Sequence, residues 1–460
     1  MVTVAGVDSS TQSCKIVVCD AETGAVLARA QAPHPDGTEV PAESWWRALE
    51  SAGAGRLDRV DALAVAGQQH GLVALDARHR PVRDALLWND TRSAGAAEDL
   101  VRELGGTGAW AEAVGSVPLA AFTVTKLRWL ADHEPEAADR TARILLPHDY
   151  LTWRLRGADA EPTTDRGDAS GTGYWSPATD SYREDLLALA FRGRTPELPR
   201  VARPAELVGR TAAGTPVAAG TGDNAAAALG LGLGDGDIAI SLGTSGTVFA
   251  RSATPSADPS GAVAGFADAT GAFLPLVCTL NAARVLTSLA DLLGVDRATM
   301  ETLAAQENPG SSGVVLLPYL GGERTPNLPH ASGSLHGLRP DNMRPSVLAR
   351  AGYEGMLCNM ADALDALRMV PRRVLLIGGA ARSPLVARLA AQIFGVAVTV
   401  PEPDEYVAIG AARQAAWALS GAPEPPDWSA RTSAEVPAPE DSAAGQEVRA
   451  QYARARQSLY

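Results

Sequence analysis

Several short strings in this chain combine residue types and spacing able to do chemistry on phosphates and alcohols. Asp8 ends the apolar run TVAGVD and is followed by Ser9, Ser10, Thr11 and Ser13, and SLGTSG at 241–246 has the same small, hydroxyl-rich make-up. Turns of this kind between strands leave backbone N–H groups open to a concave side, where anionic oxygens bind. Asp8 adds a carboxylate suited to Mg²⁺, a hard ion that prefers oxygen and keeps several waters. Gly243 and Gly246 flank Thr244 and permit close backbone approach to a phosphate. A plain serine-rich turn would share this composition, but two such turns in matching register favour the phosphate reading.

A third string, PVAAGTGDNAAAALG, brings a strand through glycines to Asp223 and Asn224 at the head of an alanine-rich segment. Asp223 suits a helix N-cap, and it equally suits a general base. Phosphoryl transfer to an alcohol needs a proton acceptor beside the attacking hydroxyl and positive electrostatics around the transferred group. Helix N-termini and Mg²⁺ supply that field even in an acidic protein. A fourth string, IGGAARS at 377–383, is a strand, two glycines and a helix start. It serves either as a packing turn or as a flat backbone surface for a nucleotide base or ribose. Gln69 and His70 at a strand end, with Trp88, Asn89, Asp90 and Arg92, offer the donors, acceptors and aromatic wall that a polyol requires. Glu323 and Arg324 in GGERTP either border the same site or form a structural ion pair.

These residues need a scaffold of strands and helices to hold them. The opening reads as a three-stranded meander, TVAGVDSS, KIVVCD and AVLARAQA, followed by a helix AESWWRALESAG and the strand LAVAG. Strands and helices alternate onward, so the class is α/β. DIAISLGTSGTVFA mirrors the opening at a constant offset of 233, placing Asp8 on Ser241 and Thr11 on Thr244. Two related lobes follow, 1–229 and 230–425, with the glycine-rich GLGLGDGD as a hinge and 426–460 as a linker with a terminal helix.

Composition narrows the partners. The 460 residues carry 40 Lys+Arg against 53 Asp+Glu, a net charge of −13, so no global basic field exists for nucleic acid or an anionic membrane surface. Four cysteines without metal-ligand spacing suit a reducing cytoplasm and argue against a disulfide scaffold. The N-terminus lacks the pattern of a secretory leader, and no apolar run is long enough to span a membrane. No GxxxxGK[ST] occurs, which excludes a P-loop, and no clean GxGxxG opens a βαβ unit, so a dinucleotide-binding fold loses its main support.

The strings GVDSSTQS, AGQQHGL, LLWNDTRS, TKLRWLADH, GTGDNAAAALG, ISLGTSG, YLGGERTP and IGGAARSP occur in order over nearly the whole chain. In this the sequence resembles the FGGY family of carbohydrate kinases. The resemblance implies two actin-like (ribonuclease-H-type) lobes flanking a cleft. It also implies ATP-dependent phosphorylation of a pentulose, D-xylulose foremost, with ATP as co-substrate and Mg²⁺. Carried over residue by residue, Asp223 is the catalytic base and Asp8 helps place Mg²⁺. Thr11, Gly243 and Thr244 line the ATP phosphates, and Gly379, Ala380 and Ser383 hold the adenosine. Gln69, His70, Asn89, Asp90 and Asn224 face the sugar. Lys126 and Trp129 fall in a family signature read here as a structural helix. Ser10 replaces a common glycine of the first loop, Gln69 stands where methionine is frequent, and Ala121, Val347 and Gly352 depart from the family signatures. A homodimer is implied by the resemblance alone. Two alternatives stay open: a kinase of the same family for ribulose, gluconate or glycerol, and a non-catalytic sugar or ATP sensor on the same scaffold.

Overall fold

Gly6 lies so close to another element that a side chain there has no room: an added Cβ would sit 1.8 Å from the carbonyl oxygen of Ala408. That contact belongs to the first of two units in the computed structural model, which describes residues 1–428 and 430–460. Unit 1 comprises Met1–Leu233, Ser252–Pro275 and Asp404–Ser429, and unit 2 comprises Gly234–Arg251, Leu276–Pro403 and Ala430–Tyr460.

Unit 1 is built on a mixed sheet. Strands β1 (Thr3–Ser9), β2 (Ser13–Asp20) and β3 (Val26–Pro33) form the expected antiparallel meander. Strand β4 (Ala62–Gly67) runs parallel to β1, and β5 (Leu207–Arg210) and β6 (Pro216–Ala218) extend the sheet to the order β5-β6-β4-β1-β2-β3. Because side chains alternate along a strand, β1 and β4 are apolar on both faces. Val7, Leu63 and Val65 are buried beside Trp45 of helix α1 (Ala42–Gly53), while Val4, Ala62, Ala64 and Ala66 pack with Ala408, Ala411 and Ala415. Each fully buried Val or Leu side chain contributes about 1.5–3 kcal/mol.

The unit also contains helices α2 (Pro147–Leu155), α3 (Arg166–Ser170) and α4 (Asp223–Leu231). The helix Tyr406–Ser420, inside the second lobe as read from sequence (230–425), packs in this unit. Its small residues make that packing possible. Added Cβ atoms on Gly410 and Gly230 would sit 1.8 Å from the Ala226 carbonyl oxygen and 2.0 Å from that of Tyr406. Backbone-to-backbone approach of this kind is specified by spacing in space, which the order of residues along the chain does not display. The chain leaves unit 1 between Leu233 and Gly234, inside GLGLGDGD, just after α4 ends on Gly232 at φ 67°.

Unit 2 repeats the opening motif. Strands β7 (Asp237–Leu242) and β8 (Gly246–Ala250) form a hairpin, β8 pairs antiparallel with residues 276–279 of β9 (Phe273–Thr279), and β10 (Arg373–Ile377) lies parallel to β7. Asp8 sits opposite Lys15 and Ala66, and Ser241 opposite Thr247 and Ile377. The two hairpins therefore occupy equivalent sheet positions, with the second turn one residue shorter. Unit 2 also holds helices α5 (Arg297–Ala305), α6 (Pro345–Ala366) and α7 (Pro384–Phe394), the last following the helix start read in IGGAARS. Strand β11 (Val398–Pro401) pairs parallel with β10. The tail expected as a loose linker contains strand β12 (Thr432–Val436), paired antiparallel with β11, before the helix Ala443–Gln457. TSAEV leaves most of its side chains exposed and holds the sheet edge through its backbone, so no burial pattern announces it.

Candidate active site

In unit 1 the strand ends converge on carboxylates. Asp8, one residue before the end of β1, is buried, and its Oδ1 has no hydrogen-bond partner. Burial, and then the negative charge of Asp223, push its carboxyl up to about 7. A buried carboxyl oxygen without a partner, near a second acid, suits a hard cation, which would displace its proton. The turn after it is braced from its rim. Ser10 Oγ and N–H both donate to the Ser13 carbonyl, at 3.0 and 3.1 Å, His34 Nδ1 lies 2.8 Å from the Ser10 carbonyl oxygen, and the Trp88 indole N–H donates to Thr11 Oγ1 at 2.9 Å.

Asp223 is the first residue of α4, where the backbone turns through Gly220 (φ 77°), Thr221 and Gly222. Its Oδ1 accepts the backbone N–H of Asn224 at 2.8 Å and Asn224 Nδ2 at 2.9 Å. Burial nonetheless pushes its carboxyl up to about 6, within the range where an acid is ionised yet still basic at neutral pH. Asn224 Nδ2 also donates to Gln69 Oε1 at 3.1 Å, and Gln69 Nε2 reaches the Gly167 carbonyl at 3.4 Å. His70 has a positive φ of 69°, stacks on Phe122 at 4.7 Å and lies 2.7 Å by Nδ1 from the Gly171 carbonyl. Asn89 Oδ1 is buried without a partner, as a ligand-facing amide would be.

Asp90 is placed differently. One of its oxygens accepts from Thr38 at 2.8 Å, the other from Arg92 N and Nε at 3.0 and 2.8 Å. Burial would raise its carboxyl, but these bonds hold it below the usual carboxylate range. Arg92 and Arg83 in turn lie over the Trp129 ring at 5.0 and 5.2 Å. The cluster locks the Asn89 segment onto the helix Thr123–His133, in which Lys126 is buried and donates to the Ala120 carbonyl at 2.7 Å. Glu323 is buried too, and accepts from Leu280 N–H, Asn281 and Asn359, with Arg324 giving its backbone N–H at 2.7 Å.

In unit 2, Gly243, Thr244, Gly379, Ala380 and Ser383 line one cavity of 570 Å³, large enough for a nucleoside. The paired glycines divide the work. Gly378 (φ 92°) packs on the end of β7, where an added Cβ would meet Leu242 backbone at 2.8 Å, whereas a Cβ on Gly379 would meet nothing within 4 Å. Ser383 caps α7 by accepting the Val386 N–H at 3.2 Å, so the positive end of that helix opens at the cavity. Arg297, Glu301 and Tyr353 complete the wall from α5 and α6. They lie on helices whose amphipathic pattern reads simply as packing, and sequence reasoning missed them.

Strand-ending acids, a hydroxyl-rich turn and a nucleoside-sized cavity on duplicated sheets define a phosphotransferase of the actin-like class. Residues 3–230 match the N-terminal domain and residues 238–419 the C-terminal domain of the FGGY family of carbohydrate kinases, and the chain belongs to that family. It is 52% identical over 437 residues to xylulose kinase from Streptomyces coelicolor, covering 91% of this chain and 88% of the relative. It is 50% identical over 439 residues to xylulose kinase from Streptomyces rubiginosus, with the same coverage. The crystal structure of xylulose kinase from Bifidobacterium adolescentis superimposes with a TM-score of 0.93 at 44% identity, covering 99% of both chains. Among the described residues no helix is long and apolar enough to cross a membrane.

Proposed function

We propose that this carbohydrate kinase transfers the γ-phosphoryl group of ATP to the terminal C5 hydroxyl of D-xylulose, giving D-xylulose 5-phosphate and ADP. The observation that carries the chemistry is Asp223 at the head of α4, its carboxylate tied through Asn224 to Gln69. The substrate class rests on the likeness to xylulose kinases over about nine-tenths of the chain.

In this reading Asn224, Gln69, His70 and Asn89 bind and orient the sugar with donors and acceptors of both kinds, and Asp90 holds the Asn89 segment in place. As the sugar oxygen bonds to phosphorus, its O–H bond breaks and the proton passes to the Asp223 carboxylate, while the bond from the γ-phosphorus to the departing ADP oxygen breaks. Thr11, Gly243 and Thr244 contact phosphate oxygens, and Gly379, Ala380 and the Ser383 cap take the adenosine end. Mg²⁺ fits the orphaned Asp8 oxygen, directly or through water, and when bound neutralises phosphate charge. A family member acting on another polyol remains the alternative that specificity must test. A coupled ADP-release assay over D-xylulose, ribulose, gluconate and glycerol tests both. The reading expects the highest kcat/KM with D-xylulose, and a higher value for any other acceptor overturns the substrate assignment. No acceptor-dependent ADP release overturns the kinase itself.

A further inference from the structure

Behind Asp223 lies a charged group that the chemistry above does not use. His148, second residue of α2, is fully buried with both ring nitrogens engaged: Nδ1 lies 3.0 Å from Asp168 Oδ2 and Nε2 3.0 Å from the carbonyl oxygen of Ala219. A carbonyl can only accept, so Nε2 carries a hydrogen, and the carboxylate on the other side calls for a second one on Nδ1. The groups facing the ring are acidic: Asp149 Oδ1 at 3.2 Å, Asp168, and Asp165 a little farther off. Burial alone would strip the proton, but these carboxylates outweigh it and push the imidazole up to about 10. His148 is thus a buried cation inserted between α3 and the backbone leading to Asp223.

That backbone is gripped at successive residues. The Ala219 carbonyl accepts a hydrogen bond from His148 Nε2, the Gly220 carbonyl accepts from Gln414 at 3.1 Å, and Thr221 Oγ1 donates to Asp165 Oδ2 at 2.6 Å. Asp165 also caps α3, whose Gly167 carbonyl receives Gln69. Gly220 closes directly onto the imidazole: a Cβ there would lie 2.7 Å from Nε2. The same α3 therefore anchors the base-bearing turn through Asp165, the imidazolium through Asp168, and the sugar-side amide through Gly167.

We propose that His148, held as an imidazolium by Asp168, is a positioning residue that fixes the Ala219–Gly222 turn and with it the aim of Asp223. The proposal rests on Asp223 being the base. A metal held by His148, Asp149 and Asp168 would need Nδ1 without its hydrogen; the proposal instead places that hydrogen on the 3.0 Å contact to Asp168, and the metal content of the purified protein separates the two.

The test is a cycle of His148→Gln, Asp223→Asn and the double variant in the full chain, with D-xylulose and ATP as substrates and circular dichroism as the check on folding. His148→Gln puts a neutral amide in the site and removes the cation. Its kcat is expected to fall by about tenfold or more with KM for ATP within about twofold, and the double variant to be no slower than Asp223→Asn alone. His148→Lys, which restores a permanent cation with several donors, should recover most of the loss. A folded His148→Gln enzyme of normal kcat, or a loss that multiplies with that of Asp223→Asn, overturns the positioning role while leaving the base assignment intact. Normal turnover in Asp223→Asn removes both. If His148→Gln does not fold, Asp168→Asn enters the same cycle with the same expectations. Stoichiometric transition metal in the purified protein, lost on His148→Gln, also overturns the proposal.

Discussion

Asn224 and Gln69 are 155 residues apart in sequence and joined by a 3.1 Å hydrogen bond, and the same Asn224 amide nitrogen lies 2.9 Å from the Asp223 carboxylate. One side chain therefore couples the acid at the head of α4 to the strand-end amide beside His70. Gln69→Met removes the acceptor for Asn224 and the donor to Gly167. It is expected to raise KM for D-xylulose severalfold with KM for ATP unchanged, measured by initial rates over both substrates. A change in the ATP constant alone would contradict the sugar-side placement.

The acid limb of kcat/KM for the sugar reports the free enzyme's base. Burial raises Asp223 to about 6, and only its ionised form accepts a proton, so the rate is expected to hold at neutral pH and fall as pH drops through about 6. A limb near the ordinary carboxylate value of 3.8 would contradict this account.

Asp8 carries a cost in the cation-free protein. Its folded pKa of about 7 lies above the unfolded value of 3.8, so its favourable contribution is present below 3.8 and is lost as pH rises through about 7. Asp8→Asn is expected to raise the cation-free melting midpoint above about pH 7, by roughly 2–4 °C per kcal/mol recovered, with the gain fading towards pH 3.8. Added Mg²⁺ should stabilise the parent protein and leave the variant unmoved. Differential scanning calorimetry with and without Mg²⁺ measures both.

Glycine positions separate packing from ligand contact. Gly6→Ala sets a methyl 1.8 Å from the Ala408 carbonyl oxygen and should cost about 3 kcal/mol or more in denaturant unfolding. Gly379→Ala meets nothing within 4 Å and should leave stability unchanged while raising KM for ATP. Equal destabilisation by the two would undo the distinction.

Much of this was legible in the residues because it is local. The meander and the hairpin at an offset of 233 follow from side-chain alternation, and each is observed. The strings around Gly243 and Gly379 drew notice through their glycines and come to line one cavity. What escaped was non-local. Nothing in PHDYL or DRGDAS taken locally says that His148 and Asp168 meet in the interior. Asp90 looked like its neighbour Asn89, yet both its oxygens are taken by Thr38 and Arg92. The helix Tyr406–Ser420 joined unit 1 through backbone approach at Gly6 and Gly410, and the edge strand Thr432–Val436 joined unit 2 through main-chain pairing.

The central claim is that Asp223 takes the proton from the sugar hydroxyl, and steady-state kinetics of Asp223→Asn with D-xylulose and ATP test it most directly. Asn preserves shape and removes the acceptor, so kcat is expected to fall by about 10³-fold with KM for ATP within about twofold. Turnover within about tenfold of the parent enzyme would contradict it.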